Sequence, residues 1–548
     1  MAQPMDSDTT GEVSLNAGVS RRGLLKGAIA GAGAIVLGSV GQASAQTSDA
    51  GKAAPVKGQD PVKGARTQVA PFAIASAPGV LIRPILTAGD AALNGYRMVG
   101  IPDGLGAMPN GGAFTLLMNH EIPAANGIVR RHGSKGAFVS QWKIDRDTFN
   151  VIEGKDFAQA PTNVHLWDPG TRTYTTGTTA WNRFCSGDMP LPSALRYLAL
   201  GTGDRIYFNG EETTDGRGWA HIATGPEAGH TWQLPRLGRM PFENLVASPH
   251  GKAKTIMVLG DDGALATAPV AANGPCQCFV YVGTKQANGN TIERAGLTNG
   301  KLYGLKIFRE QTLVTEESND FGLGDATTGY VDFGSFMMVE IGPAGDVSSQ
   351  TGLQVEQDAI AKDIFRFQRC EDGAWDPRET NPTDFYFVTT ASQTLNSRLW
   401  RLRFNDVNIP ENGGQIEILL NATPGRMFDN ICIDKRGRLL IQEDTGNNPH
   451  VAKIWAYGID TGELIQVASH DPASFEPGGA SFITQDEESS GIIDASEILG
   501  EGWFLFDVQV HKPNTTDPEL FESGQLLAMY VPMELGRTGV VRTDRKRN

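Results

Sequence analysis

Hydrophobic and polar positions alternate along this chain in one recurring way: a short, uniformly apolar run ends in polar or acidic residues. Six such runs stand out, TLLMNHE ending at Glu121, IYFNGEE at Glu212, IMVLGDD at Asp262, FYFVTTAS at Ser392, LLIQED at Asp444 and WFLFDVQVH at His511. Apolar runs this short and without alternation predict strands buried on both faces, as in the inner layers of stacked sheets. Turn-forming residues or a less regular stretch follow each run, at intervals of roughly 50 to 130 residues, which suits propeller blades carrying long insertions. The predicted fold class is all-β, a six-bladed β-propeller with these runs as the innermost strands. Their ends then bring Glu121, Glu211, Glu212, Asp261, Asp262, Glu443, Asp444 and His511 to one channel mouth. So many carboxylates raise one another's pKa steeply unless cations neutralise them.

The flanks read differently. Ser20-Arg21-Arg22-Gly23-Leu24-Leu25-Lys26 sets paired arginines before a weakly apolar stretch, Gly27 to Val40, and Ala43-Ser44-Ala45 supplies a small-residue cleavage signal. The apolar run of roughly 14 residues is short of the about 20 that span a bilayer. These features predict a twin-arginine signal peptide over 1–45, removed after the twin-arginine translocase exports the folded chain, so that the mature protein is periplasmic or secreted with no stable membrane span. A flexible linker over 46–70, a propeller domain over 71–536 and a polar tail over 537–548 complete the expected organisation.

Composition supports an all-β reading, since 66 glycines, 30 prolines and 40% hydrophobic residues indicate many turns and short strands. A net charge of -15 argues against a nucleic-acid partner and suits a cavity that holds cations. Cys185, Cys276, Cys278, Cys370 and Cys432 are odd in number and scattered, so they build no disulfide scaffold.

Four further segments read as site-forming loops. Arg183 to Asp188 puts Cys185 in a polar turn, Gly238 to Asn244 offers Glu243 beside an amide, Arg369 to Asp376 pairs Arg369 with Glu371, and Met427 to Asn430 adds Asp429. With Asn119-His120-Glu121, Glu211-Glu212-Thr213, Arg436-Gly437-Arg438-Leu439 and Gln509 to His511, they follow in order over roughly residues 80 to 515. In this order they resemble the PhoX family of secreted alkaline phosphatases. The stretch Gln485 to Gly491, with Asp486, Glu487 and Glu488, has no clear counterpart there and reads as an insertion able to add calcium ligands.

The resemblance implies six blades and a cluster of Fe3+ and Ca2+ at the channel mouth that hydrolyses small-molecule phosphate esters. It implies Cys185, Glu243 and Glu371 as iron ligands, Glu121, Glu211, Glu212, Asp262 and Asp444 as calcium ligands, and Arg369 and Asn119 as the groups that hold phosphate oxygens. A hard trivalent ion takes carboxylate oxygens, one thiolate can share it, and calcium accepts several oxygens in loose geometry. Two other readings remain: a calcium-only phytase-like or lactonase-like hydrolase, and a non-catalytic calcium-binding propeller.

Overall fold

The computed structural model describes residues 66–263, 276–317, 323–325, 329–331, 333–421 and 424–535. The expected signal peptide, the linker up to residue 65 and the polar tail lie outside these residues. Arg66 and Thr67, at the end of the expected linker, are buried, and the Thr67 hydroxyl bonds that of Thr87 at 2.8 Å. Among the described residues no helix is long and apolar enough to cross a membrane.

The chain is an all-β propeller. Its strands pair into antiparallel four-strand meanders, each opened by a short strand: β1 (Pro102–Asn110), β2 (Phe184–Asp188), β3 (Phe242–Ala247), β4 (Cys370–Trp375), β5 (Phe428–Ile433) and β6 (Asp486–Asp494). Each opening strand pairs with an apolar one, in order Ala113–His120, Ile206–Glu211, Lys254–Asp261, Asp384–Thr389, Arg438–Asn447 and Trp503–Val510. The opening strands also pack on one another in a closed circuit, β1 on β2, β2 on β3, and so on until β6 meets β1. They therefore line the central channel.

This arrangement corrects two expectations. The uniformly apolar runs are the second strands of their meanders, not the innermost. A second strand has sheet on both edges and a neighbouring meander against each face, so only apolar side chains suit it. An innermost strand leaves one edge to the channel and carries polar residues there. The segments expected as loops at Cys185, Glu243, Glu371 and Asp429 are the innermost strands β2 to β5, and the expected insertion at Gln485 to Gly491 belongs to β6.

Closure of the circuit uses both ends of the folded chain. Leu81–Thr87 forms the outer strand of the meander that β6 opens, paired with Ser523–Tyr530, and Ala73–Ala75 caps Leu464–His470 in the meander before it. A long excursion, Phe333–Glu340, bridges Lys301–Arg309 and Gly414–Leu420, fusing the outer edges of two meanders into one sheet.

Every innermost strand carries a bulge against its apolar partner. In β1, Pro102 faces His120 but Leu105 faces Met118, and β2 to β5 bulge at the matching place; in β6 the bulge falls two residues later, between Ser489 and Ile492. Bulges bend a strand and re-aim its side chains. Here they lie where the channel side chains carry charge.

Candidate metal centre

One backbone hydrogen bond recurs in all six meanders and places their ends in equivalent positions. The N–H at the end of each apolar strand donates to the carbonyl just before the ligand-type residues: Glu121 to Ile101 at 3.0 Å, Glu212 to Arg183 at 2.8 Å, Asp262 to Pro241 at 3.0 Å, Thr390 to Arg369 at 3.1 Å, Asp444 to Met427 at 3.0 Å and His511 to Asp486 at 2.9 Å. Two residues beyond each acceptor stand Asp103, Cys185, Glu243, Glu371, Asp429 and Glu488. Each blade thus offers a carboxylate or thiol at its innermost strand. Four acceptors, Ile101, Arg183, Arg369 and Met427, hold left-handed backbone with φ of 42°, 51°, 63° and 49°. Each such residue costs about 1–2 kcal/mol, and conformations of this kind persist where the surrounding structure over-determines them.

Side chains from these positions converge. Ligand atoms lie within 4.8 Å of one another in four groups: Glu121, Cys185 and Glu212; Asp103, Glu121 and Glu488; Glu212, Glu243 and Asp262; and Glu243, Glu371 and Asp429. Shared members link the groups into one buried array of eight carboxyls and a thiol. Two guanidiniums are ion-paired to it. Arg183 contacts Glu121 and Glu212, and Arg369 contacts Asp262 at 3.0 Å and Glu371 at 2.9 Å. Full ionisation of the carboxyls would leave six negative charges beyond what the two arginines balance.

Burial and mutual repulsion answer that excess. Burial first, then Glu371, pushes Glu243 well above the usual carboxylate range. Asp429 is raised in the same way, by burial and then Glu371, and Asp103 by burial and then Glu121. Burial and the neighbouring Asp103 and Glu243 likewise keep Cys185 a thiol, whose Sγ donates to Glu243 Oε2 at 3.1 Å. Ser186 Oγ donates to the other Glu243 oxygen at 2.8 Å, and Gln509 Nε2 donates to Asp103 and Glu121 at 2.9 Å each. Oxygen donors in excess, one sulfur and a dry setting form a donor set that fits bound multivalent cations.

The structure brings together most, not all, of the sequence candidates. Glu121, Cys185, Glu212, Glu243, Asp262 and Glu371 are in the array. Asp444 is near enough to Asp429 to raise it, but stands outside the four groups and accepts from Gly446 N at 2.8 Å. Glu211 is turned away and held by Arg217 Nε at 2.5 Å. Asp261 accepts from Gly263 N at 3.2 Å and Glu443 accepts from Trp455 Nε1 at 2.9 Å, while His511 stands at the array's edge, its Nδ1 2.7 Å from Glu522 and its Nε2 3.6 Å from Glu488.

Asn119 departs most from expectation. Fully buried, it donates from Nδ2 to Cys185 O at 2.5 Å and Ser186 O at 3.3 Å and accepts from Asn209 at 2.8 Å. It orients the strand bearing Cys185 and has no donor left for a phosphate. Sequence reasoning missed Asp103 and gave Arg183 no role; Glu488 comes from the acidic stretch expected to add calcium ligands. Asp103 lies in a short polar stretch ahead of an apolar strand, the pattern shared by Cys185, Glu243 and Glu371.

No family model matches the chain, and no curated protein matches it in sequence. Among solved structures it is similar to Pseudomonas fluorescens PhoX in complex with vanadate, a transition state analogue, with a TM-score of 0.58 at 13% identity over 85% of this chain and 96% of that one. This likeness shows a shared fold. A luciferin-regenerating enzyme aligns with a TM-score of 0.32 at 10% identity over 84% of this chain and 98% of that one. The β-propeller domain of the Trilobed protease from Pyrococcus furiosus aligns with a TM-score of 0.30 at 6% identity over 76% and 92%.

Proposed function

We propose that this chain is an exported, metal-dependent phosphomonoesterase of the PhoX type, a six-bladed propeller acting on small-molecule phosphate esters. The observation that carries the reading is the array itself, to which each innermost strand gives one carboxylate or thiol. The fold shared with a vanadate-bound phosphatase supports it. In this reading Cys185, Glu243 and Glu371 hold Fe3+, while Glu121, Glu212, Asp262 and Asp444, joined by Asp103, Asp429 and Glu488, hold Ca2+. When bound, those ions supply Lewis acidity and charge neutralisation to phosphate-ester hydrolysis.

The chain's own side chains do the rest. Arg369, whose Nε and Nη2 are engaged by Asp262 and Glu371 in this structure, carries a planar fork that would match two phosphoryl oxygens once those carboxylates turn to bound cations. Asn119 and Ser186 fix the strand and carboxylate beside Cys185. Burial of the array excludes water, which strengthens every charge interaction there.

Hydrolysis of an aryl phosphate at alkaline pH, lost on chelation and restored by calcium and iron, is the expected result. Cys185→Ala and Glu371→Gln should fold yet be inactive; an active Cys185→Ala protein overturns the iron assignment. A calcium-only hydrolase draws support from three of the four ligand groups being all-oxygen, and elemental analysis finding calcium without iron would favour it. Calcium-dependent melting with no turnover of phosphate, carboxylate or lactone esters would make the chain a binding propeller. Export through the paired arginines is tested by Arg21→Lys/Arg22→Lys, which should hold the precursor in the cytoplasm.

A further inference from the structure

Arg183 and Arg369 occupy the same place in two blades. Each precedes an innermost strand, β2 or β4, in left-handed backbone, and each carbonyl accepts the N–H from the end of the adjoining apolar strand. Each stands two residues before a cluster member, Cys185 or Glu371, and bridges two array carboxylates. The other four blades carry Ile101, Pro241, Met427 and Asp486 at this place, none of them a cation. Of the six equivalent positions, two therefore carry guanidiniums, on the blades either side of the one bearing Glu243.

Their exposure differs from that of the acids around them. The Arg183 side chain is 34% exposed and that of Arg369 14%, against 6% or less for the carboxylates they contact. The two arginine side chains are thus more exposed than the acids they bridge. Asn119, expected to share the phosphate with Arg369, is committed to the backbone at Cys185 and Ser186.

We propose that Arg183 is the second guanidinium of a phosphate clamp, opposing Arg369 across the blade of Glu243. With cations on Glu121 and Glu212, the fork of Arg183 is released from those carboxylates to a phosphoryl group, as Arg369's is on the far side. Two opposed forks suit a terminal phosphate, which offers several unesterified oxygens, and fit a diester poorly. The inference rests on the phosphomonoesterase reading.

The test is calorimetric titration of the full-length, metal-loaded protein with inorganic phosphate, beside elemental analysis, for wild type, Arg183→Met and Arg183→Lys. With metal content unchanged, Arg183→Met should bind phosphate roughly ten- to hundred-fold more weakly, the effect of one charge-assisted pair, with Arg183→Lys between it and wild type. Wild-type affinity in Arg183→Met overturns the clamp alone. Loss of metal in both variants assigns Arg183 to holding Glu121 and Glu212, and also overturns it. A wild-type protein that binds no phosphate overturns the phosphomonoesterase reading and the clamp with it.

Discussion

Stripping the metals should couple the array to protons, and the size of that coupling follows from the geometry. In the group of Glu243, Glu371 and Asp429, ligand oxygens lie within 4.8 Å of one another. Two full charges at that separation repel by about 3.5 kcal/mol at an effective dielectric near 20. Three such pairs cost about 10 kcal/mol, comparable to the whole stability of an ordinary domain. The metal-free fold therefore keeps protons, consistent with the raised pKa of Glu243, Asp429, Asp103 and the Cys185 thiol. Metal loading near neutral pH should release them, up to four from these groups.

The pH dependence has a definite sign. Carboxyls raised in the folded state contribute stability that is full below about pH 4, their unfolded pKa, and is lost as pH rises through their folded values. Metal-free protein should hence melt at progressively lower temperature from about pH 4 upwards, while the loaded protein stays level. Titration of calcium and iron into chelated protein, in two buffers of different ionisation enthalpy, counts the protons, and calorimetric scans at pH 5 and 9 give the melting shift. Zero released protons together with chelator-independent melting at pH 9 would refute the reasoning.

Adjacent glutamates should separate cleanly: Glu212→Gln lowers metal content, whereas Glu211→Gln keeps it and, by breaking the buried pair with Arg217, lowers stability by about 2–3 kcal/mol in denaturant titration. Gly104→Ala should cost roughly 3 kcal/mol and metal affinity together, because its Cβ would sit 2.3 Å from Gly187 N and 2.5 Å from Ser186 C, forcing β1 off β2. Asp188, partly exposed and pushed up to about 7 mainly by burial, tests the same linkage away from the array. Its neutral form contributes stability below about pH 4 that fades as pH rises to about 7, so Asp188→Asn should match wild type at pH 4 and exceed it at pH 9 by roughly 2 kcal/mol.

The apolar half of each blade was legible and the polar half was not. Runs such as WFLFDVQVH announce strands because sheet and core surround them on every side. Innermost strands such as Asp486–Asp494, with sequence DEESSGIID, face a channel whose polarity removes the hydrophobic signature, so they read as loops or insertions. The choice within pairs was equally hidden. Glu211 and Glu212, or Asp261 and Asp262, point to opposite sides of the chain, and only register decides which faces the channel. The shared hydrogen bond from Glu121, Glu212, Asp262, Thr390, Asp444 and His511 supplies that register, a relation between residues 17 to 29 apart in sequence. Cys185, Glu243 and Glu371, the residues the resemblance singles out, all lie in the array, but the resemblance has nothing to say of Asp103, which lies outside its motifs.

Closure by Leu81–Thr87 has a consequence for synthesis. That strand is among the first of the fold to leave the ribosome, and its partner, Ser523–Tyr530, is the last; Leu86 pairs with Leu526. Most meanders contain their own partners and are able to form as they emerge, but the one opened by β6 stays incomplete until Ser523–Tyr530 has emerged. Until then β6 is not held against β1, and Glu488 cannot be fixed beside Asp103 and Glu121. A nascent chain that has not yet released Ser523–Tyr530 thus lacks the finished array, whatever its earlier meanders have already built.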